Sequence, residues 1–171
     1  DGGILNFAKY QETHPNASYT PRYEDTGYFL LKYLPRQGGN SQCTGDKDLN
    51  YRNNLRVYRY AETLLNAAEL ILRTGGDTAE AQNYLDQVRA RAYRTTVENL
   101  GAHKVVANID NVLDERHLEL YGEGKRFWDL VRSGKANEVL GSRGYKDNKK
   151  YLPIPSSEID KSAGTLTQNP Y

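Results

Sequence analysis

The chain has 171 residues, enough for one domain with a core of its own, and its 23 basic and 22 acidic side chains leave a net charge of only +1. That balance argues against a nucleic-acid footprint, and no apolar run approaches the roughly 18 residues that a membrane-spanning helix needs. The single cysteine, Cys43, excludes an internal disulfide and a cysteine-based metal site. Tyrosine is in excess, 14 beside three phenylalanines and one tryptophan, which suits half-buried surfaces and recognition faces. The chain starts at Asp1 and contains no methionine, so it reads as a processed or excised piece.

Residues 1–54 are polar, rich in Gly, Asn, Tyr and Pro, and show no helical period. The run Gly27-Tyr-Phe-Leu-Leu-Lys-Tyr33 predicts a short extended segment, and the turn residues from Arg36 to Asp48 predict a long loop. A first helix is predicted from about Leu55 to Arg73. Val57, Tyr60/Ala61, Leu64/Leu65, Ala68 and Ile71/Leu72 repeat every three or four residues, with Glu62, Asn66, Glu69 and Arg73 on the other face. Gly75-Gly76 stops that helix, and Asp77 with Glu80 is the capping signature of the next, whose apolar face is Ala81, Tyr84/Leu85, Val88 and Ala92. Two helices joined by so short a turn form a hairpin, the unit of tetratricopeptide-like folds, and stacked repeats need about three such units.

Residues 95–104 read as irregular. Asn108 then caps a third helix, with Ile109, Leu113, His117, Leu120 and Tyr121 as its expected buried arc. Gly122-Glu-Gly124 interrupts it, and a fourth helix carries Phe127, Trp128, Leu130 and Val131 to Ser133-Gly134. No helix is expected beyond Gly144, and the prolines of Tyr151-Leu-Pro-Ile-Pro155 predict extended chain.

The densest chemistry lies in 114–132. Glu115, Glu119 and Glu123 fall in one i, i+4, i+8 row, where like charges cost about 0.2–0.5 kcal/mol per pair unless cations intervene. A glycoside hydrolase using Glu115 or Glu119 is one reading, since two carboxyl groups a helical turn apart meet the required separation of roughly 5–9.5 Å. Carboxylates on adjacent turns point the same way, however, and cannot readily flank a sugar from opposite sides. The interleaved cations favour a structural ion-pair cluster of Glu115, Arg116, Glu119, Glu123, Arg126, Asp129 and Arg132. Asp114-x-x-His117 has a metal-like spacing without the second copy that a di-metal bundle requires, and His14 and His103 have no matching partners. No phosphate loop, nucleophile elbow or Cys–His pair occurs, so neither an enzyme nor a cofactor is indicated. The remaining candidates are tyrosines of the first third, with Tyr19, Tyr23 and Tyr28 as the expected ligand-binding residues among Tyr10, Tyr19, Tyr23, Tyr28 and Tyr33. The same rings could instead pack against other sequence.

Three motifs carry a family resemblance. Glu115-Arg-His-Leu-Glu-Leu-Tyr-Gly-Glu-Gly-Lys-Arg-Phe-Trp-Asp-Leu-Val-Arg132 resembles the signature of the SusD/RagB family. Arg59-Tyr-Ala-Glu-Thr-Leu-Leu-Asn-Ala-Ala-Glu69 is similar to its arginine-started helix, and Leu152-Pro-Ile-Pro-Ser-Ser-Glu-Ile-Asp160 with Thr167-Gln-Asn-Pro170 to its ending. The resemblance implies a mainly α, SusD-like fold with a tetratricopeptide-like hairpin, further helices and long irregular loops. Residues 1–54 would be a loop-rich segment of a larger SusD-like domain, and 55–171 its helical C-terminal part with an extended tail. It also implies a cell-surface outer-membrane lipoprotein of Bacteroidetes-type bacteria that binds glycans, or in some relatives peptides. Such a protein is not an enzyme and acts as a lid on a SusC-like TonB-dependent transporter. Cys43 lies too far inside the chain to be the lipidated cysteine, and the family's motifs supply no ligand residue at a matching position.

Overall fold

The structure, a computed structural model, describes residues 4–33 and 53–170. Cys43 and the expected loop from Arg36 to Asp48 lie outside the described residues.

The fold is mainly α, and its apolar centre is a helical hairpin. Helix α2 (Tyr60–Thr74) ends where Gly75 takes the left-handed conformation at φ 69° and donates its N–H to the Ile71 carbonyl. Helix α3 (Thr78–Ala92) starts three residues later, with the Asp77 carboxylate accepting the Ala79 N–H at 2.8 Å. Leu64, Leu65 and Ala68 pack on Ala81, Leu85 and Val88, and Val112 of α4 (Ile109–Glu119) closes the cluster. A fully buried leucine such as Leu65 or Leu85 contributes about 1.5–3 kcal/mol. The small Ala68 and Ala81, both fully buried, are what let the helices approach.

Helix α2 begins five residues later than its periodicity predicts. Arg59 is extended at φ −136°, ψ 155°, and its guanidinium is held by α4 and the turn after it, so Leu55, Val57, Tyr58 and Tyr60 stay exposed instead of joining the apolar face. The 95–107 segment, irregular apart from a 3-10 turn at Gly101–His103, is tied to α3 by Gln82, whose side-chain amide accepts from the Ala107 N–H at 2.7 Å and donates to the Val105 carbonyl at 2.8 Å.

On α4 the buried set differs from the expected arc. Asn108 caps the helix through the Asn111 N–H, and Leu113 and Leu120 are buried, but Ile109 is half-buried and His117 and Tyr121 are exposed. The interior takes Val112, Leu113, Glu115, Arg116 and Glu119 instead. The cause is electrostatic: opposite charges from the neighbouring segments meet each of these ions, so the interior accepts them and Leu118 is left outside, 69% exposed.

The Gly122–Gly124 turn leads into α5 (Arg126–Arg132) and α6 (Ala136–Leu140). Past Gly144 the chain is not free of helix: a 3-10 turn spans Asp147–Lys150, and α7 (Ser156–Lys161) follows Pro155, whose carbonyl accepts the Glu158 N–H. Six residues are too few to generate a readable period. In the first third, β1 (Ile4–Asn6) pairs antiparallel with β2 (Tyr28–Leu30), Leu5 opposite Phe29, and α1 (Phe7–Thr13) starts directly from β1 with Asn6 as its cap. The extended reading of 27–33 thus corresponds to β2, whereas α1 is another element too short to announce itself.

Candidate functional site

Two features of the molecule carry concentrated chemistry: a buried ionic layer between α2, α3, α4 and α5, and the tyrosine-bearing lobe of residues 4–33, closed by the β1–β2 pairing and called the tyrosine hairpin below.

The ionic layer is built across elements rather than along 114–132. Glu115 receives Arg89 of α3 at 2.5 Å. Glu119 is gripped on one oxygen by Arg59 at 2.7 Å and on the other by Arg91. Glu123 accepts Arg59 at 2.8 Å and Lys32 at 2.6 Å. Arg116, 4% exposed, binds Asp129 at 2.8 Å and also reaches Asn66 and Glu62 of α2. Arg132 bridges Asp129 at 2.7 Å and Glu69 at 2.5 Å. Arg126 behaves differently: it makes no ion pair among the described residues and donates to the Leu113 carbonyl at 3.3 Å. The cations that sequence reading missed (Lys32, Arg59, Arg89 and Arg91) lie 26 or more residues from the carboxylates they serve. Helical spacing cannot reveal pairs that only tertiary contact creates.

The charge states follow from these contacts. Burial pushes the Glu115 carboxyl up, and the Arg89 hydrogen bond only partly offsets it. Burial also acts on Glu69 and Glu123, but hydrogen bonds from Arg132 and Arg73, and from Arg59 and Lys32, outweigh it and hold both below the usual carboxylate range. Glu62 is the tightest compromise: its Oε2 is buried without a hydrogen-bond partner among the described residues, with Lys125 Nζ 3.2 Å away as its ionic neighbour. A general acid or base must reach a substrate proton with a free lone pair or proton. Glu115 and Glu119 are buried and arginine-bound, so their geometry suits a frame rather than acid–base chemistry.

The hairpin separates the expected ligand tyrosines. Tyr19 packs edge-on against Phe7 at 4.4 Å and Phe29 at 4.9 Å, and its hydroxyl donates to Asp25 at 3.0 Å, which raises the phenol's pKa. Asp25 also accepts the Gly27 N–H at 2.7 Å, holding the 19–27 turn closed and its own carboxyl low. Tyr23 and Tyr28 are on the outside, 93% and 60% exposed. Tyr10 stacks flat on His14 at 4.0 Å in the same lobe.

The two features are joined. Lys32, just past β2, donates to the carbonyls of Glu119 and Tyr121 as well as to Glu123, neutralising the C-terminal end of α4. Gly122 at φ 75° lets Leu30 lie against the turn, where a Cβ would meet Leu30 Cδ2 at 2.7 Å. A recess of about 280 Å³ beside α4 is lined by Asp110, Asp114, Arg126, Asp129, Lys135 and Glu138, and Lys135 pairs with Asp110. Among the described residues no group of three His, Cys, Asp or Glu side chains is placed to hold a metal ion, and no helix is long and apolar enough to cross a membrane.

Comparison with known proteins places this geometry. A model of the SusD family matches residues 8–171. SusD-like protein P2 of Formosa agariphila is 32% identical over 99% of the chain and 34% of its own length. Surface glycan-binding protein A from Bacteroides thetaiotaomicron, solved in complex with laminarihexaose, superposes with a TM-score of 0.82 at 44% identity, covering 99% of this chain and 37% of that one. A laminarin binding SusD-like protein superposes with a TM-score of 0.80 at 43% identity, over 98% of this chain and 34% of that one. The chain therefore spans about a third of the length of the relatives it matches end to end. With three sequence motifs, the helical fold and the family match in agreement, the chain belongs to the SusD family.

Proposed function

We propose that the chain serves in binding glycan at a cell surface, as part of an outer-membrane polysaccharide uptake system that delivers ligand to a SusC-like TonB-dependent transporter. Residues 1–54 and 55–171 act in it as the loop-rich and helical parts of one larger SusD-like domain. The observation that carries the reading is the superposition on a glycan-binding protein solved with laminarihexaose, at an identity of 44% over nearly the whole chain. Exposed Tyr23 and Tyr28 supply flat rings with hydroxyl tips, the chemistry that stacks on a sugar and hydrogen-bonds its hydroxyls. The arginine-bound Glu115 and Glu119 support binding without bond cleavage.

Isothermal titration against laminarihexaose and against a peptide pool tests the proposal. Heat with the oligosaccharide is the expected result, and heat with peptides alone would move the protein to the peptide-binding branch. Release of reducing sugar, abolished by Glu119→Gln, would contradict the non-enzymatic reading.

A further inference from the structure

The surface formed by residues 140–155 lies outside the ionic layer and the tyrosine hairpin. Hydrogen bonds fold its first half into a tight loop: Tyr145 N–H to the Leu140 carbonyl at 3.1 Å, Lys149 N–H to the Lys146 carbonyl at 2.9 Å, and Lys149 Nζ to the Gly144 carbonyl at 2.7 Å. Arg143, Lys146, Lys149 and Lys150 are all exposed on it, against one carboxylate, Asp147. None of these four cations makes an ion pair among the described residues, unlike Lys135 and Lys161 nearby, which are matched to Asp110 and Glu158. The loop therefore presents a concentrated net positive charge, four cations to one carboxylate, in a chain whose overall balance is nearly neutral.

The cations run straight into an exposed apolar strap. Tyr151 is 50% and Leu152 60% exposed, and Lys150 Nζ sits 5.0 Å from the centre of the Tyr151 ring. The tail holds the backbone of the strap. Gln168 accepts the Ile154 N–H at 2.8 Å and donates to the Ile154 carbonyl at 2.9 Å, and Asn169 donates to the Leu152 carbonyl at 2.8 Å. Pro153 and Pro155 carry no N–H, and the Pro155 carbonyl is taken by α7. A segment whose backbone polar groups are largely satisfied internally can enter an apolar boundary without the cost of stripping water from them.

We infer that residues 143–152 form an interfacial contact site for an anionic lipid surface, with Arg143, Lys146, Lys149 and Lys150 on the headgroups and Tyr151 and Leu152 at the apolar boundary. An aromatic ring with a polar tip suits that depth, and lysine stems reach across it while their ammonium groups stay wet. Leu152 decides between a lipid surface and an acidic polysaccharide. An exposed branched aliphatic side chain offers a sugar ring no flat face, whereas it gains by leaving water for acyl chains. The inference does not depend on the glycan-binding reading.

The test uses the whole 171-residue chain and sedimentation with vesicles of phosphatidylcholine alone or mixed equally with phosphatidylglycerol. The chain should bind the mixed vesicles at low salt, ignore the neutral ones, and release as salt screens the headgroups. Each cation near such a surface is worth about fivefold in partitioning, so Lys146→Glu/Lys149→Glu/Lys150→Glu should lower binding by about a hundredfold or more. Leu152→Asp should weaken it further at fixed charge on the loop's cations. All four side chains are exposed, and an unchanged helical circular dichroism spectrum checks that the variants fold. Equal binding to both vesicles, no binding to either, or binding that survives the triple substitution would overturn the inference. Retention on polygalacturonate without vesicle binding would overturn it too, assigning the cations to an acidic glycan.

Discussion

The helical part and the tyrosine lobe place their polar chemistry in opposite ways. Between α2, α3, α4 and α5 the charges are inside: Glu62, Glu69, Asp86, Arg89, Glu115, Arg116, Glu119 and Asp129 are all buried. In the tyrosine lobe the chemistry is outside, with Tyr23 and Tyr28 facing water while Phe7, Tyr19 and Phe29 pack together and Tyr10 stacks on His14. Buried ions add little net stability, because desolvation cancels much of the attraction, but each demands its partner at one place. They define how the helices sit. Exposed rings demand nothing of the fold and are free to meet a ligand. Lys32 and Gly122 connect the two regions.

The contrast is broken most directly by removing an interior cation. Arg116→Ala leaves Asp129 and Glu62 without their buried partner and should cost about 3–5 kcal/mol in denaturant unfolding, whereas an equally large truncation in the hairpin should not. A result under about 1 kcal/mol, the range of exposed pairs, would mean that water reaches the layer. Leu85→Ala, in the apolar centre, should cost about 2–5 kcal/mol. The two together separate the ionic from the apolar share of the helical frame.

Gly122→Ala probes the joint itself. The left-handed conformation costs a non-glycine residue about 1–2 kcal/mol, and the new Cβ must also displace the end of the Leu30 side chain. The expected outcome is a loss of that size with faster hydrogen exchange in β1 and β2 than in α2 and α3. Uniform exchange changes would show that the joint is not local.

Acid sharpens the picture because two carboxylates of the layer titrate against the third. Glu69 and Glu123 have depressed pKa values, so their stabilisation is complete above the ordinary glutamate value and is lost as pH falls through the lower folded value. Glu115, raised by burial, has the opposite sign: protonation relieves its cost, and that relief disappears as pH rises through its folded value. Unfolding curves below about pH 4 should flatten in Glu69→Gln but not in Glu115→Gln.

How much of this was legible in the sequence depended on the length scale. The α2–α3 hairpin, the Gly75 stop and the Asp77 cap were readable because fifteen-residue helices repeat their apolar face several times. Helices α1, α6 and α7, at five to seven residues, do not. His117 was expected inside because its spacing matched Leu113 and Leu120, yet the interior selected Glu115, Arg116 and Glu119 instead. Their partners Arg59, Arg89 and Arg91 come from other helices and loops, where periodicity is silent. The tyrosines were legible as a composition, and only the fold separates the packed Tyr19 from the exposed Tyr23 and Tyr28.

The smallest expected effect on stability belongs to the largest expected effect on function. Tyr23→Ala with Tyr28→Ala removes exposed rings and should change stability by no more than about 0.5 kcal/mol each. Ring contacts are worth about 0.5–1.5 kcal/mol, so under the proposed glycan-binding role each lost ring should weaken binding of a laminarihexaose probe by about two- to tenfold. The titration of this double variant beside the wild-type chain is the decisive measurement. An unaltered melting curve with clearly weaker binding is the result the account predicts. Unchanged affinity, or affinity lost only in step with unfolding, would contradict it.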